Sequence, residues 1–150
     1  MPKFELPKDL KFNRGIIENP KKYFDESGTK SWLFLIGEEF ASMPGGMSYD
    51  QVKSATPNSK QVISDPPRVM TVELARQQIK ALDELPRPTL MTCRTGPRSS
   101  ALAYLYAGLK HGADPNDVIA AAEKDDAPFI KQEELKEWIK TSMETLKSGL

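Results

Sequence analysis

Within the stretch Cys93-Arg94-Thr95-Gly96-Pro97-Arg98-Ser99-Ser100 the chain brings together its only cysteine, two arginines and two serines. The cysteine follows a short apolar run, Pro88-Thr89-Leu90-Met91-Thr92, and precedes a helical pattern. A strand-to-helix turn of this kind points backbone N–H groups inward, and the helix N-terminus adds partial positive charge. Both effects favour an anion: a thiolate at Cys93, and an anionic group held above it. Arg94 and Arg98 supply fixed positive charge, and a guanidinium can grip phosphate or sulfate oxygens in bidentate fashion. Thr95, Gly96, Pro97, Ser99 and Ser100 complete the expected anion-binding loop. A lone cysteine is more often an inert, buried hydrophobe. That reading suits aliphatic flanks, whereas Arg-Thr-Gly-Pro-Arg is rich in charge and turn chemistry.

The elements that position this loop are legible in outline. Residues 1–12 are rich in proline and lysine and are expected to form an extended N-terminal arm ahead of a single domain over 13–150. Asn19-Pro20 reads as an N-cap followed by proline at the first helical position, with the helix running through Phe24 and stopping before Gly28. Trp32-Leu33-Phe34-Leu35-Ile36 is a continuous apolar run, the pattern of a strand buried on both faces. Glu38 to Gly46 reads as a short helix or loop, and Met47–Val52 and Gln61–Ser64 as weak strands, with a loop over 54–59 between them. Thr71 caps a predicted helix over Val72–Leu85 that aligns Ala75, Ile79 and Leu82. After the cysteine loop, Leu102, Leu105, Tyr106 and Leu109 recur at helical spacing up to Gly112. Asp114-Pro115 opens a further helix to Lys124, and a last one over Gln132–Leu146 aligns Leu135, Trp138, Ile139 and Leu146. Alternating strands and helices predict an α/β fold with a mostly parallel central sheet flanked by helices. Ligands in such sheets bind beyond the carboxyl ends of strands, which is where Cys93 falls.

Composition narrows the function. The chain has 150 residues, enough for one hydrophobic core without staples. Formal net charge is zero, so no global field recruits nucleic acid or an acidic membrane, and anion preference must be local. One cysteine rules out an internal disulfide, and one histidine argues against a Cys/His metal site. No metal or other cofactor is expected. No apolar run approaches the roughly 20 residues of a membrane span, and the first residues lack the apolar stretch of a secretory signal. A reducing soluble compartment, cytoplasmic or organellar, is the expectation.

The strand, the Cys93–Ser99 loop, the helix after it and a second helix beginning Gly-Ala-Asp-Pro-Asn-Asp-Val-Ile-Ala-Ala-Ala (from Gly112) together resemble the phosphatase-like domain of beta-lactamase-hydrolase-like proteins. That domain belongs to the cysteine-dependent tyrosine and dual-specificity phosphatase superfamily. The resemblance is most specific from Thr71 to Asp126; upstream it includes Gly28–Ile36 and Gly46–Tyr49. It implies a three-layer phosphatase-like fold with the cysteine loop between a strand and a helix. Two features depart from tyrosine phosphatases. Their loop has five residues between cysteine and arginine, where four separate Cys93 from Arg98, and their cysteine follows a histidine, where Thr92 stands. The shorter spacing, and Arg94 directly after the cysteine, is similar to single-domain rhodaneses. Two helices after residue 112 are, by contrast, the phosphatase pattern.

Three functions follow from these likenesses. The phosphatase reading makes Cys93 the nucleophile toward phosphorus, with Arg98 and the loop N–H groups stabilising the transferring oxygens. Ser99 or Ser100 would donate to the departing thiolate. The superfamily's general acid is an aspartate upstream of the cysteine, which points to Asp65 in Ser64-Asp65-Pro66-Pro67-Arg68, with Asp50 second; Asp65 is equally a plain turn residue before two prolines. The sulfurtransferase reading has Cys93 attack a sulfane sulfur and become a persulfide, with Arg94 and Arg98 holding the donor. The third reading is a non-catalytic anion-binding or regulatory module. In each, the partner is an anionic small group: a phosphate ester or a sulfane-sulfur donor. His111 reads as a helix-terminal or surface residue, Gly45-Gly46 as a turn, and Asp125-Asp126 as a solvated pair.

Overall fold

Residues 4–37, 47–64 and 69–147 are described by the structure, a computed structural model. In chain order the elements are β1 (Leu10–Phe12), α1 (Pro20–Ser27), β2 (Ser31–Phe34), α2 (Tyr49–Ala55), β3 (Ser59–Gln61), α3 (Val72–Asp83), β4 (Thr89–Thr92), α4 (Pro97–His111), α5 (Pro115–Lys124) and α6 (Glu133–Leu146). The strands pair in the order β1-β4-β2-β3, and every pair is parallel. β2 and β4 are therefore central, and they carry the most apolar strand sequences. Successive strand residues point to opposite faces. Trp32, Phe34 and Ile36 accordingly pack with Ile17, Phe24 and Val52 on the side of α1 and α2. Leu33, Leu35 and Met91 join the larger core formed with α3 to α6. The result is the three-layer α/β arrangement expected from the sequence.

Local signals set most helix starts. Asn19, Thr71 and Asp114 each cap as predicted, accepting from Lys22, Leu74 and Asn116 N–H groups respectively. α1 and α4 both end at a glycine in the left-handed region, Gly28 and Gly112. The central helix α4 is buried at every residue from Ser99 to Gly108, as a helix enclosed by a sheet and other helices must be. Gly108 lets α5 approach closely, since a Cβ there would lie 2.7 Å from Val118 Cγ2.

Two expectations are corrected. Met47–Val52 holds no strand: Ser48 and Gln51 form a reciprocal capping box that opens α2, which then extends to Ala55 into the expected loop. The strand expected over Gln61–Ser64 lies earlier, at Ser59–Gln61. Within the segment expected as an extended arm, Leu10–Phe12 pairs with Thr89–Met91 as an edge strand, and Phe4 and Leu10 are buried. The helix or loop expected over Glu38–Gly46, with Gly45-Gly46, lies outside the described residues.

The end of the sheet away from Cys93 is tied by Arg87 and Tyr106. The Tyr106 hydroxyl donates to Asp83 Oδ1 at 2.6 Å and accepts from Arg87 Nη2 at 2.6 Å. Arg87 Nη1 also reaches the Leu82 and Leu85 carbonyls, joining α3, the following turn and α4. Burial pushes the Tyr106 hydroxyl up from 10.0 to about 12, helped by the bond to Asp83 and opposed by Arg87. Tyr104 is raised as well, by burial and then by its bond to Asp125. With the folded value above the unfolded one, this contribution is full below pH 10 and is lost as pH rises through about 12. Thermal midpoints measured from pH 9 to 12 are expected to fall, and Tyr106→Phe to fall less steeply. Equal slopes would assign the alkaline loss to other groups.

Candidate active site

β4 delivers Cys93 to the carboxyl end of the sheet, and its last residues are tightly registered. Thr92 pairs with Phe34, its carbonyl accepts from the Leu35 N–H at 3.0 Å, and its hydroxyl accepts from Trp32 Nε1 at 2.8 Å. Trp32 is itself stacked on Phe24, with centroids 5.4 Å apart. Thr92 is thus held by an indole from the neighbouring strand.

Beyond Thr92 the chain turns into α4. Cys93 is buried, and its Sγ accepts N–H bonds from Gly96 at 3.1 Å and Ser99 at 3.4 Å. Donors converging on the sulfur at a helix N-terminus favour negative charge in its vicinity. Ser99 Oγ lies 3.5 Å from Sγ, whereas Ser100 Oγ is turned back onto the Pro97 carbonyl at 3.0 Å. Of the two serines, Ser99 faces the sulfur. Pro97 occupies the first turn of α4, where no donor is lost. Gly96 has φ 115°, and a Cβ there would lie 2.3 Å from the Asn13 carbonyl oxygen and 3.2 Å from Pro128 Cγ.

The arginines differ in setting. Arg98 is half-buried, and its Nη1 donates to the carbonyl of Ser64, a buried residue three positions after β3. Arg94 is half-buried and Thr95 exposed. Asp65 follows Ser64 directly but lies outside the described residues, with Pro66, Pro67 and Arg68. Asp50 sits exposed in the first turn of α2 with its carboxylate 3.2 Å from Lys53. His111 is exposed at the end of α4, as expected. Asp125 is more than a solvated charge, since its Oδ2 accepts from the Tyr104 hydroxyl at 2.6 Å. Among the described residues, no three His, Cys, Asp or Glu side chains cluster to hold a metal, and no helix is long and apolar enough to cross a membrane.

One residue of the site is absent from the sequence reading: Asn13, fully buried just after β1. Its side chain bonds both the N–H and the carbonyl of Cys93, at 3.2 and 2.8 Å, and accepts from Ser99 Oγ at 2.8 Å. In sequence, Asn13 beside Arg14-Gly15 looks like a turn residue, and no spacing connects it to a position 80 residues on. Beside it, Arg14 donates to the carbonyls of Asp126 and Asp125, at 2.9 and 3.3 Å, so the turn after α5 is drawn against the same segment.

No protein-family model matches the chain, and no curated protein matches it in sequence. Solved structures do match in fold. Tk-PTP in its active form superposes with a TM-score of 0.72 at 14% identity, over 90% of this chain and 91% of that one. PTPMT1 in complex with PI(5)P gives a TM-score of 0.70 at 13% identity, over 97% of each chain. PTPMT1 alone gives 0.68 at 13% identity, over 97% of this chain and 96% of that one. The three-layer fold is therefore that of these phosphatases.

Because Gly96 combines a left-handed backbone with a carbonyl in the path of any Cβ, Gly96→Ala is expected to lower unfolding free energy by about 1–3 kcal/mol. Urea denaturation measures it; an unchanged midpoint at equal slope would contradict this loop conformation.

Proposed function

We propose that this chain is a cysteine-dependent phosphatase acting on a phosphate ester. The observation that carries the reading is the Cys93 sulfur at the N-terminus of α4, receiving the Gly96 and Ser99 N–H groups, in a fold matching Tk-PTP and PTPMT1. The Cys93 thiolate attacks phosphorus, the S–P bond forms, and the P–O bond to the leaving group breaks. Arg98 and the loop N–H groups stabilise charge on the three transferring oxygens. Asp65 gives its proton to the leaving oxygen; its carboxylate then takes a proton from the water that cleaves the cysteinyl-phosphate. Ser99, which lies beside the sulfur, is the serine placed to turn its hydroxyl from Asn13 to the thiolate released in that second step. The contact from Arg98 to Ser64 supports Asp65 in this role, because it brings the residue before the aspartate to the arginine of the loop. The finer likeness to beta-lactamase-hydrolase-like proteins rests on the loop and on the Gly112–Ala122 segment. The activity is proposed to reside in a single domain, with β1 at the edge of its sheet.

A second reading has one observation in its favour. Only four residues separate Cys93 from Arg98, and a tighter ring of N–H groups suits a persulfide sulfur better than a tetrahedral phosphate. Under it, Cys93 displaces sulfite from thiosulfate and keeps the outer sulfur.

Hydrolysis of an aryl phosphate over about pH 5–8 tests the first reading, with a phosphoinositide such as the one bound by PTPMT1 as a second substrate. Turnover is expected for the wild type and its complete loss in Cys93→Ser. Asp65→Asn is expected to lower kcat by roughly 10²-fold or more with KM little changed; an unchanged kcat excludes Asp65 as the acid. Absence of turnover, together with an added sulfur in the intact mass after thiosulfate treatment, would replace phosphate chemistry with sulfur transfer.

A further inference from the structure

We propose that Asn13 is a positioning residue for the reactive cysteine: a side chain just past the edge strand β1 that holds the loop at its beginning, middle and end. The inference rests on Cys93 being the nucleophile, as in the reading above. β1 and β4 are in parallel register up to the pair Phe12 and Met91. Past that pair the backbone ladder stops, and the Asn13 carboxamide takes its place. Oδ1 accepts the Cys93 N–H at 3.2 Å, and Nδ2 donates to the Cys93 carbonyl at 2.8 Å.

The orientation of this amide follows from its partners. The carbonyls of Cys93 and Gly15 can only accept, so both must face Nδ2. The Cys93 N–H can only donate, so it must face Oδ1. Two donor hydrogens and two acceptor sites are all the amide has. The remaining acceptor site receives the Ser99 hydroxyl at 2.8 Å, shorter than the alternative at the Gly96 carbonyl (3.2 Å), while the Cys93 thiol donates to the Ser99 oxygen at 3.5 Å. Asn13 therefore sets where the Ser99 oxygen stands relative to the sulfur. Its main chain completes the grip, because its carbonyl oxygen occupies the space a Gly96 side chain would need. One residue, fully buried and contributed from outside the loop, thus contacts positions 93, 96 and 99.

If Asn13 only filled space, its replacement would lower stability and leave the folded site unchanged. A positioning residue makes a different demand: the folded variant must show an altered sulfur. The test is the rate of Cys93 alkylation by iodoacetamide near neutral pH, with mass spectrometry as readout and near-ultraviolet circular dichroism confirming the fold at assay temperature. Asn13→Ala is expected to react about tenfold more slowly than wild type, as the N–H donors leave the sulfur. Asn13→Asp keeps the shape and the acceptor oxygen but loses both Nδ2 donations, and the same slowing is expected of it. Folded variants alkylated as fast as wild type, or faster, would overturn the proposal. Alkylation needs no substrate, so this result is independent of aryl-phosphate turnover. Slow alkylation in the variants of a wild type without phosphatase activity would support Asn13 while refuting the phosphatase reading.

Discussion

Everything in this site depends on holding one sulfur atom at the junction of a strand end and a helix start. The N–H groups of Gly96 and Ser99 reach Cys93 Sγ only because the chain reverses within three residues and then enters α4 directly. That reversal demands a left-handed residue whose neighbours leave no room for a side chain, which is why glycine stands at position 96. It also demands that α4 not move relative to the sheet. The burial of α4 along ten consecutive residues, with α5 and α6 packed around it, meets that demand.

Contacts of the loop and of the residues that flank or grip it reach three other parts of the molecule. Trp32 fixes the hydroxyl of Thr92, one residue ahead of the sulfur. Arg98 extends to the Ser64 carbonyl and so connects the helix N-terminus to the chain after β3. Arg14, adjacent to Asn13, binds the carbonyls at the end of α5, and Pro128 packs against Gly96 from the same turn. A loop made only of its own hydrogen bonds would be free to open. Contacts from the start, middle and end of the chain brace this one.

What the sequence disclosed was what is encoded locally. The buried run Trp32–Ile36, the stripe Leu135, Trp138, Ile139 and Leu146, the caps at Asn19, Thr71 and Asp114, and the cysteine between strand and helix are each written in a few neighbouring residues. Near residue 48 a weak strand signal was outweighed by the Ser48–Gln51 capping box, which starts a helix. The short strands β1 and β3 were missed or displaced because three residues carry almost no periodicity, and their identity comes from the strand beside them. Asn13 was illegible for the same reason in stronger form. Its partners are set by the register of β1 on β4, which is a property of the folded sheet and of no segment by itself.

That register has a consequence for the order in which the molecule can be assembled. Asn13 emerges during synthesis 80 residues before the cysteine it grips, and until β4 exists the strand that carries it has no neighbour. β1 is only three residues long and sits at the sheet edge, so closing that long loop must draw its compensation from a sheet already formed. β1 is therefore expected to dock after the central strands have paired. A nascent or partly unfolded molecule can possess its core, its central helix and its cysteine while the grip on that cysteine has yet to form.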